Sequence, residues 1–331
     1  MRCLPHKMHF ANLLGSSTPN NMSIRTLLPY LLVLLLALVI EWAFGWARLL
    51  APWTSISLGG LALAIGLMLT SYVLRAWRVA DHFEIRGAFG AVLSLNLQHN
   101  LWNNLLPMRA GELSFPLLMR QNFGTDPAYA LAGLFWIRLV DAQVLAALAL
   151  GSLLWLAKIE ALALGLVLLA LIAPFVLWAL RGWLGARVAR LNAGKLRGLF
   201  EKLLAGLPHD AAHFARGVLL TWANWLVKLA ALAWVLRQFV PISWTGAGLG
   251  VLGGEVTSVL PIHAPGGFGT YEAGMLAALL PQGLELASAT TAAINTHLFL
   301  LGTSLVFGLL AMLIAGKSAT MPPPHKTTNP E

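Results

Sequence analysis

The sequence predicts an all-α integral membrane protein, and three observations predict it. Of 331 residues, 58% are hydrophobic and only 11% are charged, and the mean hydropathy is +0.74; a soluble domain carries about 25% charged residues. Six apolar runs reach the roughly 20 residues that cross about 30 Å of hydrocarbon as a helix. The 22 Lys and Arg fall mainly in alternate connections between those runs, the pattern of cytoplasmic loops. This composition excludes a water-soluble enzyme. The net charge of +9 is scattered between apolar runs, so no nucleic-acid partner is expected. The single cysteine, Cys3, allows neither an intrachain disulfide nor a Cys-based metal site.

Taken in order, residues 1–26 form a polar cytoplasmic tail, in which Met22, followed by Ser-Ile-Arg, would also make a conventional start. The first span, 27–46, resembles a signal-peptide core, but Ala43-Phe44-Gly45 is a poor cleavage site, so it reads as an uncleaved anchor. The next spans are 57–77, 128–155, 162–180, 217–239 and 287–315. The segments 1–26, 75–90, Arg120, 181–216 and 316–331 hold 16 of the basic residues, and the opposite connections hold three, Arg48, Lys158 and Arg237. Both termini are therefore expected in the cytoplasm. Trp42, Trp46, Trp53, Trp155, Trp234 and Trp244 cluster at the expected outer ends, and Trp77, Trp178, Trp183, Trp222 and Trp225 near the inner ends. Interfacial belts have this distribution.

Two further apolar stretches, 91–119 and 246–280, are broken by Pro, Gly and polar residues. The first lies between two inside connections, and its 29 residues extend only about 44 Å as helix. Two crossings need about 60 Å plus a turn, so a re-entrant hairpin is expected. The second lies between two outside connections and should enter from the opposite face. Their sequences are related: LPMRAGE (Leu106–Glu112) and LPIHAPGGFGTYE (Leu260–Glu272) both carry Leu-Pro, a turn, Gly, then Glu. Arg138 lies 26 residues beyond Glu112, and His297 lies 25 beyond Glu272. Each unit is span, hairpin, span, entered from opposite sides, which is an inverted repeat with a site expected between the halves.

The loop 181–216 carries Leu184, Val188, Leu191, Leu196, Leu199, Phe200, Leu203 and Leu207 at roughly helical spacing, with Arg187, Arg190, Lys195, Arg197 and Lys202 on its other faces. It is expected to lie on the anionic inner leaflet as an amphipathic helix interrupted near Gly194 and Gly198, or else to be a solvated basic connector. Residues 27–315 form one membrane domain, and the Pro-rich tail 316–331 is expected to be disordered and cytoplasmic.

Ionisable groups inside the bilayer cost about 2.5–3.5 kcal/mol each on insertion scales, so each is a functional candidate. They are Arg109, Glu112, Arg138, Asp141, Lys228, Glu255, His263, Glu272 and His297. The amides Asn96, Gln98, Asn100, Asn103 and Asn104, with His99, precede the first Leu-Pro and suit a wet cavity or a broken helix. Arg109 sits beside Gly111, where backbone and guanidinium together suit an anion. Arg138 and Asp141 share one helical face and either fix packing as a pair or contact substrate. Glu112 is expected to pair with Arg109 or Arg138. Lys228, with Asn224 one turn earlier, either snorkels or joins the cavity. His263 and His297 read as packed, neutral residues. Pro107, Gly111, Pro261, Pro265, Gly266, Gly267 and Gly269 are expected to shape the hairpin backbone. The sequence contains no Gly-x-Ser-x-Gly, His-Glu-x-x-His or P-loop, so neither an enzyme nor a cofactor is expected.

The stretches NNLLPMRAGELSFPLLMRQNFG (Asn103–Gly124), IRLVD (Ile137–Asp141) and LPIHAPGGFGTYEAG (Leu260–Gly274) resemble the lysylphosphatidylglycerol synthase transmembrane-region family, over about residues 24–316. In two-domain relatives this region is held to move aminoacylated phosphatidylglycerol across the bilayer, while a separate C-terminal cytosolic domain makes it. Only about 16 residues follow the last span here, so the resemblance implies translocation and not synthesis. It places the family's functional residues on Arg109, Glu112, Arg138, Asp141 and Glu272. Three positions depart from the pattern: Phe115 stands where Arg often follows Gly-Glu, Ile137 where an acid often precedes Arg, and His297 where a late span often has Arg.

The sequence thus leads to a flippase-like protein of the bacterial inner membrane that binds and translocates a phospholipid or lipid-linked molecule by alternating access. Arg109, Arg138 and Lys228 would hold a phosphate, and Glu112, Asp141 and Glu272 would balance charge. Membrane lipids are the expected partners, with an envelope-lipid or glycan enzyme as a second. The alternatives are a proton-coupled small-solute transporter and a non-transporting subunit of such an enzyme.

Overall fold

The computed structural model describes residues 45–85, 87–190, 194–208, 210–259 and 265–318, with positions 34, 38, 41 and 42 ahead of them. The chain divides into two units, 1–46 and 47–331. In the first, Leu34, Leu38, Glu41 and Trp42 are helical, and the Glu41 carboxylate accepts from the Trp46 N–H at 2.7 Å. Most of the expected span 27–46 lies outside the described residues, as do Met22, Pro261, His263 and the tail beyond 318.

The described residues form helices and no strand. They are α1 (Trp46–Leu50), α2 (Leu58–His82), α3 (Phe89–Leu105), α4 (Ser114–Phe123), α5 (Pro127–Leu156), α6 (Glu160–Ala179), α7 (Arg181–Ala189), α8 (Lys195–Ala205), α9 (Ala211–Phe239), α10 (Trp244–Val259), α11 (Thr270–Leu279) and α12 (Leu286–Ser318). Five of these, α2, α5, α6, α9 and α12, are long and apolar enough to cross a membrane, and they coincide with five of the expected spans. The protein is an all-α, multi-pass membrane protein.

Local chemistry sets the helix ends. The Ser57 hydroxyl accepts from Gly60 N–H at the start of α2. Asp126 accepts from Ala128 and Tyr129 N–H, with Pro127 at the first helical position of α5. Asp210 caps α9, its carboxylate accepting from the backbone N–H and the ring of His213. These contacts hold the Asp210 carboxyl below the ordinary carboxylate range, the His213 side chain contributing most. Inside α6, Pro174 cannot donate to the Ala170 carbonyl one turn earlier, and the Gln143 amide of α5 donates to it instead.

α2 and α9 pack antiparallel along their length. Trp234 donates to the Gly60 carbonyl, Ser71 to Asn224, Arg78 to Thr221 and Arg216 to Asp81. α12 runs parallel to α2, since Trp53 reaches Asn295 while Tyr72 reaches Thr303. α3 runs antiparallel to α12, with Ser94 bonded to the Ala311 carbonyl and Asn100 to Ser304. The first hairpin, α3–α4, therefore starts at the end of the bundle where α2 finishes and α9 begins. The second, α10–α11, starts where α9 finishes. Two span–hairpin–span units thus enter from opposite ends, and the turns Pro107–Leu113 and Pro265–Gly267 meet. At the first turn, a Cβ on Gly111 would collide with the Asn103 and Trp102 backbone. At the second, Gly266, Gly267 and Gly269 all have positive φ, open to glycine at no steric cost.

Two expectations need correction. The interruption expected at Gly198 is absent, because α8 is continuous through it; α7 ends at Ala189 before α8 starts at Lys195, and a second break separates Ala205 from Ala211. Leu207 then turns inward and packs with Phe214 and Val218, and the Trp136 and Trp178 indoles donate to the Leu203 and Pro208 carbonyls. Second, Arg75 and Arg78 do not lie in a connection. α2 runs on to His82, and both guanidiniums turn toward the interior because the helix face bearing Ser71, Tyr72 and Arg78 is buried against α9.

Candidate functional site

A cavity of about 120 Å³ opens where the two hairpins meet. α2 contributes Tyr72 and Arg75, the first hairpin Asn100, Asn103, Asn104 and Leu106, and α5 Arg138 and Asp141. α9 supplies Trp225 and Lys228, α10 Glu255, Ser258 and Val259, and the second hairpin Gly266, Gly267, Thr270 and Tyr271. His297, Leu300 and Leu301 of α12 close it.

On the first-hairpin side the charges form one continuous chain. Asp141, 3% exposed, accepts two bonds from Arg78, at 2.6 and 3.2 Å, and one from the Trp225 indole at 2.9 Å. Arg138 donates to Asp141 at 3.4 Å, to Glu112 at 3.4 Å, and lies 3.2 Å from His99 Nε2. His99 Nδ1 lies 2.9 Å from the Ser114 hydroxyl. Each ion in this chain has an opposite charge within reach, although the buried Nε of Arg78 has no hydrogen-bond partner.

On the second-hairpin side there are two separate pairs. The Lys228 ammonium donates to Glu255 at 2.6 Å, and the Tyr271 hydroxyl donates to the other oxygen at 3.2 Å. His297 Nδ1 lies 2.6 Å from Glu272, whose second oxygen accepts from Gly269 N–H at 2.7 Å, capping α11. The His297 ring stacks on Tyr271 at 4.3 Å between centroids. The repeat visible in sequence reappears as chemistry: Glu112 with Arg138 in one half, Glu272 with His297 in the other.

A third group lies between them. Arg75 donates to the Asn100 side-chain oxygen at 2.9 Å, and the Asn100 and Asn104 amides both donate to Ser304. Asn103 lines the cavity with its side-chain oxygen buried and unpartnered.

Of the sequence-derived candidates, Arg138, Asp141, Lys228, Glu255, His297, Asn100, Asn103, Asn104, Gly266 and Gly267 line the cavity. Glu112 and Glu272 stand behind it, acting on it through Arg138 and His297. Gly111 and Gly269 shape the two turns. The side chains of Pro107, Arg109 and Pro265 lie outside the described residues. Sequence reading missed Tyr72, Arg75, Arg78 and Tyr271. The signal was there: Ser71, Tyr72, Arg75, Arg78 and His82 recur at helical spacing, a polar stripe within an apolar run. The model of one family, described as the lysylphosphatidylglycerol synthase TM region, matches residues 26–308. The chain belongs to that family. The matched stretch includes both hairpins and every cavity-lining residue. No curated protein and no solved structure matches the chain.

Beside the cavity, α5, α6, α9 and α10 enclose an apolar groove of about 530 Å³. Its walls include Leu148, Leu164, Leu226, Leu229, Leu249 and Leu252. Successive turns of α9 and α10 thus face the charged cavity on one side and this groove on the other.

Proposed function

We propose that the protein binds a phospholipid or lipid-linked molecule and translocates it across the bacterial inner membrane. The observation that carries this reading is the adjacency of a charged cavity and an apolar groove on the same two helices. An amphiphile uses both; a free polar solute has no use for the groove. The groove offers the chains an apolar surround like the hydrocarbon they leave, so holding them there costs little, while the cavity replaces the headgroup's water. The meeting of two hairpins from opposite ends supports alternating access, since small movements of either would open the cavity to one end. Asp141, Arg138 and Lys228 act as charged walls that a headgroup passes, and no chemical step is needed, so the protein is read as a transporter and not an enzyme. Both termini and 181–216 are placed in the cytoplasm by the distribution of basic loop residues.

The test is reconstitution into liposomes carrying a fluorescent phospholipid whose outer-leaflet fraction is bleached by an impermeant reductant. Wild-type protein should expose more than the outer half. Leu229→Trp, which fills the groove, should slow exposure at least about tenfold without loss of fold. Bleaching equal to that of protein-free vesicles would remove the translocation reading. Equal sensitivity of a water-soluble solute to Leu229→Trp would favour solute transport. Cysteine labelling in a Cys3→Ser background checks the orientation. Labelling of a cysteine at position 195 from outside intact cells would invert it.

A further inference from the structure

We infer that Arg75 is the phosphate-binding residue of the cavity, and that the site takes a hydroxyl-bearing phosphate ester and excludes one carrying a free amine. This rests on the lipid reading above and narrows its substrate.

Charge and unmet hydrogen bonds single out Arg75. Among the described residues that line the cavity, the carboxylates are Asp141 and Glu255. Asp141 already accepts from Arg78, Arg138 and Trp225, and Glu255 from Lys228 and Tyr271. The Lys228 ammonium is paired with Glu255, and the Arg138 guanidinium with Glu112 and Asp141. Arg75 differs. Its bond is to a neutral amide, Asn100, and no carboxylate among the described residues forms an ion pair with it, Asp141 being taken by Arg78 and Arg138. A partly buried guanidinium with no carboxylate of its own is the arrangement an anion completes, and its planar fork matches two phosphate oxygens.

Asn103 is one turn beyond Asn100 on α3, on the same face. Its buried oxygen lacks a donor, and a hydroxyl of the headgroup would supply one. An ammonium could also donate there, but it would bring a further cation to a cavity whose carboxylates are all engaged.

The experiment uses the full chain in detergent and follows thermal stabilisation on titration with phosphatidylglycerol, lysyl-phosphatidylglycerol, diacylglycerol and inorganic phosphate. Phosphatidylglycerol should stabilise the wild type with an affinity at least about tenfold above that of the lysylated lipid. Arg75→Gln keeps an N–H for Asn100 and removes the charge. It should weaken phosphatidylglycerol binding roughly ten- to hundredfold, leave diacylglycerol unchanged, and melt no lower than wild type without lipid. Arg75→Lys should fall between the two and serves should the Gln variant not fold. Unchanged phosphatidylglycerol affinity in either variant, or preference for the lysylated lipid, would overturn the assignment. Arg75-dependent stabilisation by inorganic phosphate alone would overturn the lipid ester as ligand. Lipid binding that ignores Arg75 sinks this inference but not translocation; absence of both lipid binding and lipid movement sinks translocation itself.

Discussion

The two halves of the cavity solve one problem differently. Around Asp141 the charges are linked: Arg78, Arg138, Glu112 and His99 form a chain across α2, α5 and the first hairpin. Around Glu255 and Glu272 they are partitioned into separate pairs, each within reach of the second hairpin. Both halves descend from the same Leu-Pro, Gly, Glu pattern, so the difference lies in what faces the glutamate. In the first half it is an arginine, always charged. In the second it is a histidine, which also stacks on Tyr271. The linked half suits a fixed wall, and the partitioned half suits a part that moves.

That contrast is open to attack. Removing Asp141 strikes three donors at once, two of them guanidiniums. Asp141→Ala should cost about 3–5 kcal/mol, the range for breaking a buried ion pair, and appear as sharply reduced abundance and melting temperature. Lys228→Met strands Glu255 with only Tyr271 for company. It should cost about 3 kcal/mol, and adding Glu255→Gln should recover much of that. Recovery tests the partition, because in a linked half a second change would not restore the first. If Asp141→Asn is repaired by Arg138→Met alone, the first half is not a chain and the contrast fails.

A smaller effect is expected at the homologous pair. His297→Asn keeps a donor toward Glu272 but loses the stacking on Tyr271, and should cost about 1 kcal/mol in thermal melts. A loss as large as that from Asp141→Ala would make the second half as rigid as the first. The smallest effect lies outside the membrane at Asp210. Its carboxyl is held below the ordinary range, so its contribution is present above that range and is lost as pH falls through the lowered value. Asp210→Ala should therefore lower the melting temperature slightly at pH 7, and the difference from wild type should shrink below about pH 4. A difference that persists unchanged at lower pH would mean that the charge is irrelevant to the cap.

Much of the fold was legible in the sequence because a membrane imposes period and length on it. The helices α2, α5, α6, α9 and α12 answer to runs whose apolar length alone distinguishes them. The hairpins were legible through parity and through the residues that break helices, with Gly111 and Gly266–Gly267 at the turns where they meet. The pairing of Arg138 with Asp141 was anticipated from spacing, and Arg138 was one of the two partners expected for Glu112. Arg75 and Arg78 were not, because a basic residue near the end of an apolar run looks the same whether it faces cytoplasm or cavity. Helix rotation decides between those, and no local signal sets rotation as strongly as the partner helix does.

By itself, the sequence determined that this is a multi-pass helical membrane protein with two interrupted segments and a related glutamate in each. These follow from hydropathy, charge distribution and chain length, which act along the chain. Only the tertiary structure decided that Lys228 is held by Glu255, that Asp141 is shared between two arginines, and that Arg75 is left facing an amide. Apart from Arg138, three positions from Asp141, the partners in these contacts lie 25 to 63 positions apart. They are fixed by the angle and rotation at which α2, α5, α9 and α10 pack around the two turns, and these are properties of the packed assembly that no single segment contains.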